Sequence, residues 1–442
     1  MTPEKPNQNK LLFGAIADDL TGGIELASML IARGIATTLS IGPGEPARYA
    51  TAHVFALKSR VAPVHEAVRS TLEALDRLLA QGVRQVFLKY CATFDSTAAG
   101  NIGPCAEAIL GRLNAPRALF VPALIETRRT VYQGHMFGGA QLLAESPKRF
   151  DPLTPMTDSN LVRVLQAQSK TAVGLIDYSV VDQGASAVRA YVEAAAETSL
   201  FICDTLYERH LATLATAAVD EPLLTGNSSV AAHLPPVWFE RGLVAPPVPV
   251  CLDGVDGPGA VLVGSLAEQT AAQLDRFAKS RKVFPIDVEA AYAGHDIVAE
   301  ARRFAETAVA EGRDFAISTA VPQARVDALQ ARHGRLEVAE KVEGILSDIA
   351  RAIVFDLGVR RLVVAGGETS GSVVRALGIT DLNVGPYRAP GFSRSVAVQP
   401  FPLGLMLKSG KLGGLDIFAT ALEDMRHPIS ERPILDRWPP KA

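Results

Sequence analysis

Cysteine is scarce: Cys91, Cys105, Cys203 and Cys251 are the only four in 442 residues. None stands in a CxxC pair or another zinc-like cluster, which argues against a structural metal site. So few thiols in so long a chain fit a reducing cytoplasm. No apolar run reaches the ~20 residues that a bilayer span needs. The opening MTPEKPNQNK is polar and lacks the apolar stretch of a signal peptide. An excess of one charge is missing as well. The formal net charge is −3, where a dedicated nucleic-acid binder usually shows a basic excess. Internal repeats and low-complexity segments are absent. What is present is globular composition, 48% hydrophobic and 21% charged. The length calls for two domains, each with its own core.

The chain alternates strand and helix. Leu11–Ala17 reads as a buried strand, Leu20–Gly34 as a helix and Thr37–Ile41 as a second strand. Val54–Leu57, Val86–Tyr90, Ala118–Val121, Val173–Ile176, Leu200–Cys203 and Pro222–Thr225 continue the strands, with Pro63–Ala80 among the helices. This order predicts an α/β fold with a largely parallel sheet flanked by helices. Between Leu234 and Gly259 the chain carries six prolines and four glycines, which predicts an interdomain linker with one short strand. The expected division is 1–233, linker 234–259 and 260–442. A second α/β pattern follows: strands Val261–Gly264, Phe315–Ser318 and Leu362–Ala365, helices Glu268–Arg281, Val338–Gly358 and Gly371–Leu377. In such sheets ligands bind beyond the carboxyl ends of the strands, so the residues just after each strand are the first candidates.

In the second half these are glycine turns. Gly366-Gly367-Glu368-Thr369-Ser370-Gly371 follows one strand, Gly264-Ser265 another, and Lys408-Ser409-Gly410-Lys411-Leu412-Gly413-Gly414 forms a third loop. Glycines let backbone N–H groups approach a ligand, and a helix start favours an anion. Three such turns suit a nucleotide phosphate cradle. None has the GxxxxGK[ST] spacing, and no GxGxxG marks the first strand, so neither a P-loop NTPase nor a dinucleotide-dependent dehydrogenase is indicated.

In the first half the strand exits carry charge. Asp18 and Asp19 end the first strand, where paired carboxylates can bind hydroxyls, hold Mg²⁺ or accept a proton; Asp also caps helices. Lys58-Ser59-Arg60 follows the third strand, and Lys89 through Asp95 and Ser96 the fourth. Arg128-Arg129 and Gln133-Gly134-His135 follow the fifth, and Thr157-Asp158-Ser159-Asn160 precedes a helix expected over Leu161–Gln168. Each alone reads as a loop charge or a cap, and His135 as a hydrogen-bonding residue. Their recurrence at strand ends predicts a basic pocket for a hydroxylated carboxylate or phosphate.

The segments ADDLTGG, LKSR, KYCATFDST with GNIGP, RTVYQGH, PMTDSNLVR, AGGETSG and LKSGKLGG occur in this order. Together they resemble the four-carbon acid sugar kinase family, in its 3-oxo-tetronate branch, from about residue 11 to about residue 420. The related threonate and erythronate kinases share the ADD and GGET segments. Gly23, Glu25, Leu124–Arg128, Asn227–Ser229 and Lys411-Leu412 depart from the family pattern. The resemblance implies transfer of the ATP γ-phosphate to the terminal 4-hydroxyl of a four-carbon sugar acid. It implies an N-terminal acceptor domain, a C-terminal nucleotide domain, and ATP with Mg²⁺ as cofactors. Carried over by motif, Ser265, Gly366, Gly367, Glu368, Thr369 and Gly410 contact ATP. Asp18, Arg60, Lys89, Asp95, Ser96, Arg129, His135, Asp158 and Asn160 are expected on the acceptor side. Asp19 is expected to orient or deprotonate the hydroxyl, with Arg60 and Lys89 on the substrate carboxylate. The alternatives are a threonate or erythronate kinase and a non-catalytic sensor of the acid and ATP. No nucleic-acid or membrane partner is expected, and monomer and homodimer both stay open.

Overall fold

The computed structural model describes residues 11–44, 50–151, 153–195, 198–247, 249–319, 323–435 and 438. The chain forms two compact α/β units, residues up to 249 with the returning segment from 432, and residues 250–431. In the first unit the main strands are β1 (Phe13–Ala17), β2 (Thr37–Ile41), β3 (Ala52–Ala56), β4 (Gln85–Lys89) and β5 (Ala118–Val121). A three-stranded antiparallel sheet of β6 (Arg129–Tyr132), β7 (His135–Gly138) and β8 (Gln141–Leu142) follows. The main sheet resumes with β9 (Ala172–Ile176), β10 (Thr198–Cys203) and β11 (Leu223–Gly226). Its order is β2-β3-β1-β4-β11-β5-β10-β9, parallel throughout.

Strands β1, β3, β4 and β5 are buried along their whole length, as expected for parallel strands covered by helices on both faces. Helix Val64–Ala80 shows why the cover forms. Its buried residues Ala67, Thr71, Ala74, Leu75 and Leu78 recur at the spacing of one helical face, and the four apolar ones join the core with Leu88 and Ile109. The register pairs Ala17 with Ala56 and with Lys89. The exits of β1, β3 and β4 therefore lie side by side, where the chain order reverses about β1. That is the switch point at which open α/β sheets bind ligands.

The second unit contains β12 (Val250–Leu252), β13 (Gly259–Val263), β14 (Val283–Pro285), β15 (Phe315–Ser318), β16 (Arg361–Ala365), β17 (Asp381–Val384), β18 (Arg394–Ala397), β19 (Leu403–Lys408) and β20 (Ile429–Glu431). Strands β14-β15-β13-β16-β19 run parallel. β18 and β17 extend that edge antiparallel, and β12 pairs with β20 apart from it. Val263 aligns with Ala365, and Ala365 with Lys408, so the three glycine turns leave neighbouring strands together.

The α/β class agrees with the sequence expectation, and several boundaries differ from it. Leu234–Glu240, within the proline-rich stretch, is a helix. Pro235 and Pro236 occupy its first turn, where a missing N–H costs nothing, and Trp238 packs on Phe13 of β1, ring centroids 5.4 Å apart. The short strand expected in that stretch is β12. The C-terminal segment returns to the first unit. Ile434 N–H donates to Ala32 O at 2.8 Å, and buried Arg33 donates to the carbonyls of Ile434 and Leu435. The helix expected over Val338–Gly358 begins earlier, at Arg335, and ends at Arg351 in a π-helical turn. Among the described residues no helix is long and apolar enough to cross a membrane.

Candidate active site

Asp18 and Asp19 leave β1 as it gives way to helix Leu20–Ala32. Asp19 is the N-cap, its Oδ1 accepting from Gly22 N–H at 2.8 Å, which satisfies a donor the helix leaves open. Arg60, four residues beyond β3, holds both carboxylates. It donates to the two Asp18 oxygens at 2.8 and 2.9 Å and lies 2.9 Å from Asp19 Oδ1. Burial opposes the Arg60 charge, but Asp18 and Asp19 outweigh it and hold the guanidinium well above its ordinary value. The guanidinium expected on a substrate carboxylate is thus engaged by two protein carboxylates, Asp18 and Asp19.

Lys89 ends β4 and is 2% exposed. Among the described residues no carboxylate lies within ion-pair distance of it. A side chain at Gly22 would overlap both Lys89 Nζ and Asp19 Oδ1, so only a glycine leaves room for both groups at this helix start. A buried ammonium without a counter-charge is costly, which marks it as a group that meets an anion.

The loop after β4 carries Asp95 into the same neighbourhood. Asp95 accepts from Thr93 Oγ1 at 2.7 Å and pairs with Lys148 Nζ at 2.6 Å. Lys148 also reaches Asp151 at 3.0 Å. Burial works against the Asp95 carboxylate, yet Lys148, Thr93 and the field of Arg60 prevail and hold it below its ordinary range. Lys148 is held above its own range by Asp95, again against burial. The Cys91 thiol beside them is pushed up to about 11, first by burial and then by Asp95, so it stays a neutral thiol.

The Asp95–Lys148 pair has a pH consequence. A depressed native carboxyl contributes stability above its unfolded value and loses it as pH falls through the native one. The raised Lys148 contributes below its unfolded value and loses that as pH rises through its native one. Lys148→Met is expected to cost on the order of 3 kcal/mol at neutral pH, because it leaves Asp95 buried and unpaired, and to flatten the acid limb of stability. Urea unfolding across pH checks this; an unchanged profile would contradict the pairing.

Of the remaining expected residues, Ser96 and Asp158 line a neighbouring cleft of about 280 Å³, together with Met156 and Arg163 among others. Ser96 Oγ accepts from Gln168 Nε2 at 3.0 Å. Asp158 takes both branches of Arg163, at 2.8 and 2.7 Å, whose hydrogen bonds lower its pKa. Asn160 caps helix Leu161–Gln166, and its Nδ2 lies 3.4 Å from His135 Nε2. His135 Nδ1 is 2.8 Å from Gln133 O. Arg129 opens β6, half-buried. The structure thus brings together Asp18, Asp19, Arg60, Lys89 and Asp95, links His135, Asn160 and Asp158 by hydrogen bonds, and sets Ser96 in one cleft with Asp158.

In the second unit the helix after β16 starts at Gly367, four residues earlier than expected, behind Gly366 at φ 131°. Glu368, Thr369 and Ser370 therefore form its first turn, and their N–H groups belong to a helix N-terminus. Gly366 N–H donates to Lys408 O at 3.0 Å, and Ser265 N–H to Ala365 O at 3.1 Å. A side chain at Gly410 would overlap Ser265 Oγ, and one at Gly264 would overlap Thr369 Oγ1. All six expected nucleotide residues lie on these three adjoining turns. The last loop is held from helix Glu268–Ala278. Thr270 Oγ1 donates to Gly410 O at 2.7 Å, Gln269 to Gly413 O at 2.7 Å, and Gln273 to the carbonyls of Leu412, Gly413 and Gly414.

Sequence reasoning missed Lys148, Thr270 and Gln273, and also Asp204. That buried carboxylate directly follows β10 and accepts from the N–H groups of Gln133, Gly134 and Tyr178 at 2.7, 2.9 and 3.1 Å. It fixes the turn between β6 and β7, and burial raises its pKa. Its place directly after a strand was the signal available.

Residues 13–234 match the family model of a sugar-binding N-terminal domain, and residues 260–418 that of a nucleotide-binding C-terminal domain. The 3-oxo-tetronate kinase of Burkholderia multivorans is 44% identical over 416 residues, 93% of this chain and 96% of the relative. That of Pseudomonas fluorescens is 44% identical over 418 residues, with the same coverage. A crystal structure from Salmonella typhimurium superposes with a TM-score of 0.82 at 35% identity, covering 94% of this chain and 99% of that one. The two matched domains and these relatives place the chain in the four-carbon acid sugar kinase family.

Proposed function

We propose that the chain transfers the γ-phosphate of ATP to the terminal 4-hydroxyl of a four-carbon sugar acid, with 3-oxo-tetronate as the acceptor, in the cytoplasm. The observation that carries the acceptor side is Lys89, a 2% exposed ammonium beside Asp19 at the sheet's switch point. It pairs with the substrate carboxylate. Asp19 has one oxygen committed to the Gly22 N–H and to Arg60, and its other oxygen accepts the hydroxyl proton. Arg60 keeps the Asp18 and Asp19 carboxylates in place.

The balance is simple. The O4–H proton passes to Asp19 and then to water. The O4–P bond forms while the bond from the γ-phosphorus to the β–γ bridging oxygen breaks, and ADP leaves. Phosphoryl transfer asks mainly for positioning and charge neutralisation. The turns at Gly264-Ser265, Gly366–Thr369 and Gly410 supply N–H donors for the nucleotide. Bound with the nucleotide, Mg²⁺ would neutralise phosphate charge.

Purified protein with ATP, Mg²⁺ and a panel of 3-oxo-tetronate, D-threonate and D-erythronate tests this through ADP release. The highest kcat/KM is expected with 3-oxo-tetronate. Preference for threonate or erythronate would reassign the acceptor, and ADP release with none would indicate a sensor.

A further inference from the structure

The second unit holds one side chain whose placement the glycine turns do not explain. Lys408 is the last residue of β19 and is 0% exposed. Its Nζ donates to Thr270 Oγ1 at 3.2 Å and lies 5.7 Å over the Phe418 ring. Among the described residues no carboxylate is within ion-pair distance. Thr270 in turn donates to Gly410 O, and the Lys408 carbonyl accepts from Gly366 N–H. One buried lysine therefore bonds to two of the three turns, to one through its backbone and to the other through a threonine relay.

We propose that Lys408 is a positioning residue that couples nucleotide binding to proton uptake, its ammonium being the buried counter-charge to the nucleotide phosphates and the support of the Gly410 loop through Thr270. This rests on the reading of the three turns as the nucleotide cradle.

The physical case follows from burial. The Lys408 amine is pushed down to about 8, and burial is the cause. Charged residues stand on every element packed around it. They are Glu268, Asp275 and Arg276 on helix Glu268–Ala278, Glu423 and Asp424 on helix Ile417–Asp424, Glu368 and Arg375 on helix Gly367–Ala376, and Arg361 and Arg394 on neighbouring strands. None contributes to the shift. Near and above that pH a good part of the free protein carries a neutral amine. Phosphates arriving at the adjoining turns favour the ammonium, because an opposite charge raises an amine's affinity for its proton. Linkage then requires proton uptake on binding, and an affinity that falls by up to about tenfold per pH unit above the free-protein value.

Isothermal titration calorimetry of the full chain with ADP, at about pH 8.5 in buffers of differing ionisation enthalpy, reads the proton count; ADP itself is fully deprotonated there. Uptake of up to about three-quarters of a proton is expected for the wild type, the fraction of free amine that is neutral at that pH. Lys408→Met is expected to fold, since it replaces a buried amine by an apolar group of similar length, and to bind ADP with uptake near zero. Thr270→Val is expected to weaken ADP binding while keeping the uptake. Equal proton counts in wild type and Lys408→Met would overturn the proposal. Absence of ADP binding in the wild type would instead overturn the cradle reading beneath it.

Discussion

Replacing Asp19 by Asn is expected to cut turnover by about 10²–10⁴-fold while costing less stability than Asp19→Ala, since the cap survives and only the charge facing Arg60 is lost. The separation comes from the two tasks of one side chain. As N-cap, Asp19 needs only an oxygen that accepts from Gly22 N–H, and Asn caps helices as well as Asp does. As base, it needs a carboxylate, and an amide cannot take the hydroxyl proton. Asp19→Ala removes both and is expected to lose a further ~1 kcal/mol of stability with the cap. Steady-state kinetics beside thermal unfolding distinguish the outcomes. Turnover of Asp19→Asn within about threefold of wild type would remove Asp19 from the proton transfer.

Gly410→Ala is expected to raise the KM for ATP by about 10–100-fold, which corresponds to ~1.4–2.8 kcal/mol of binding, with the KM for the acid nearly unchanged. The added methyl would overlap Ser265 Oγ. Relief by moving the loop is restrained, because Gln269, Thr270 and Gln273 hold the carbonyls at positions 410, 412, 413 and 414. Relief by rotating Ser265 breaks its acceptance of Ala267 N–H at 3.2 Å. The backbone at Gly410 has no left-handed φ, so the effect is one of close approach alone. Gly414→Ala is the matched control: nothing lies within 4 Å of its added carbon, and a change in KM below about twofold is expected there. Equal effects of the two substitutions would show that the Gly410–Ser265 approach does not shape the nucleotide site.

The charged residues at strand exits were legible because a parallel sheet announces itself by alternating apolar runs, and its ligand edge follows from topology. Asp18, Asp19, Arg60 and Lys89 needed no more than that. Their pairing was not legible. Arg60 meets Asp18 across 42 residues of sequence, and only the register of β1 with β3 shows that it is already engaged. Lys148 was hidden because it sits in a short 3₁₀ turn, Pro147–Phe150, away from any strand of the main sheet. Thr270 and Gln273 were hidden because polar residues on an amphipathic helix read as its solvent face, yet both are fully buried against the last glycine loop. The two prolines at the start of helix Leu234–Glu240 read as linker punctuation, since a proline opening a helix and a proline breaking one look alike until the partner surface, here Phe13, is known. The glycines of the GGET turn were read as loop for a similar reason, although only Gly366 adopts a left-handed φ there and the helix begins at the next residue.

In the proposed reaction an acceptor held at Lys89 and Asp19 receives a phosphoryl group on its terminal hydroxyl. Phosphorus–proton correlation NMR of the product formed from 3-oxo-tetronate and ATP tests it most directly. The expected product is a phosphate monoester coupled to the C4 methylene protons. A phosphoryl group on any other oxygen, or only free phosphate beside unchanged acid, would contradict it.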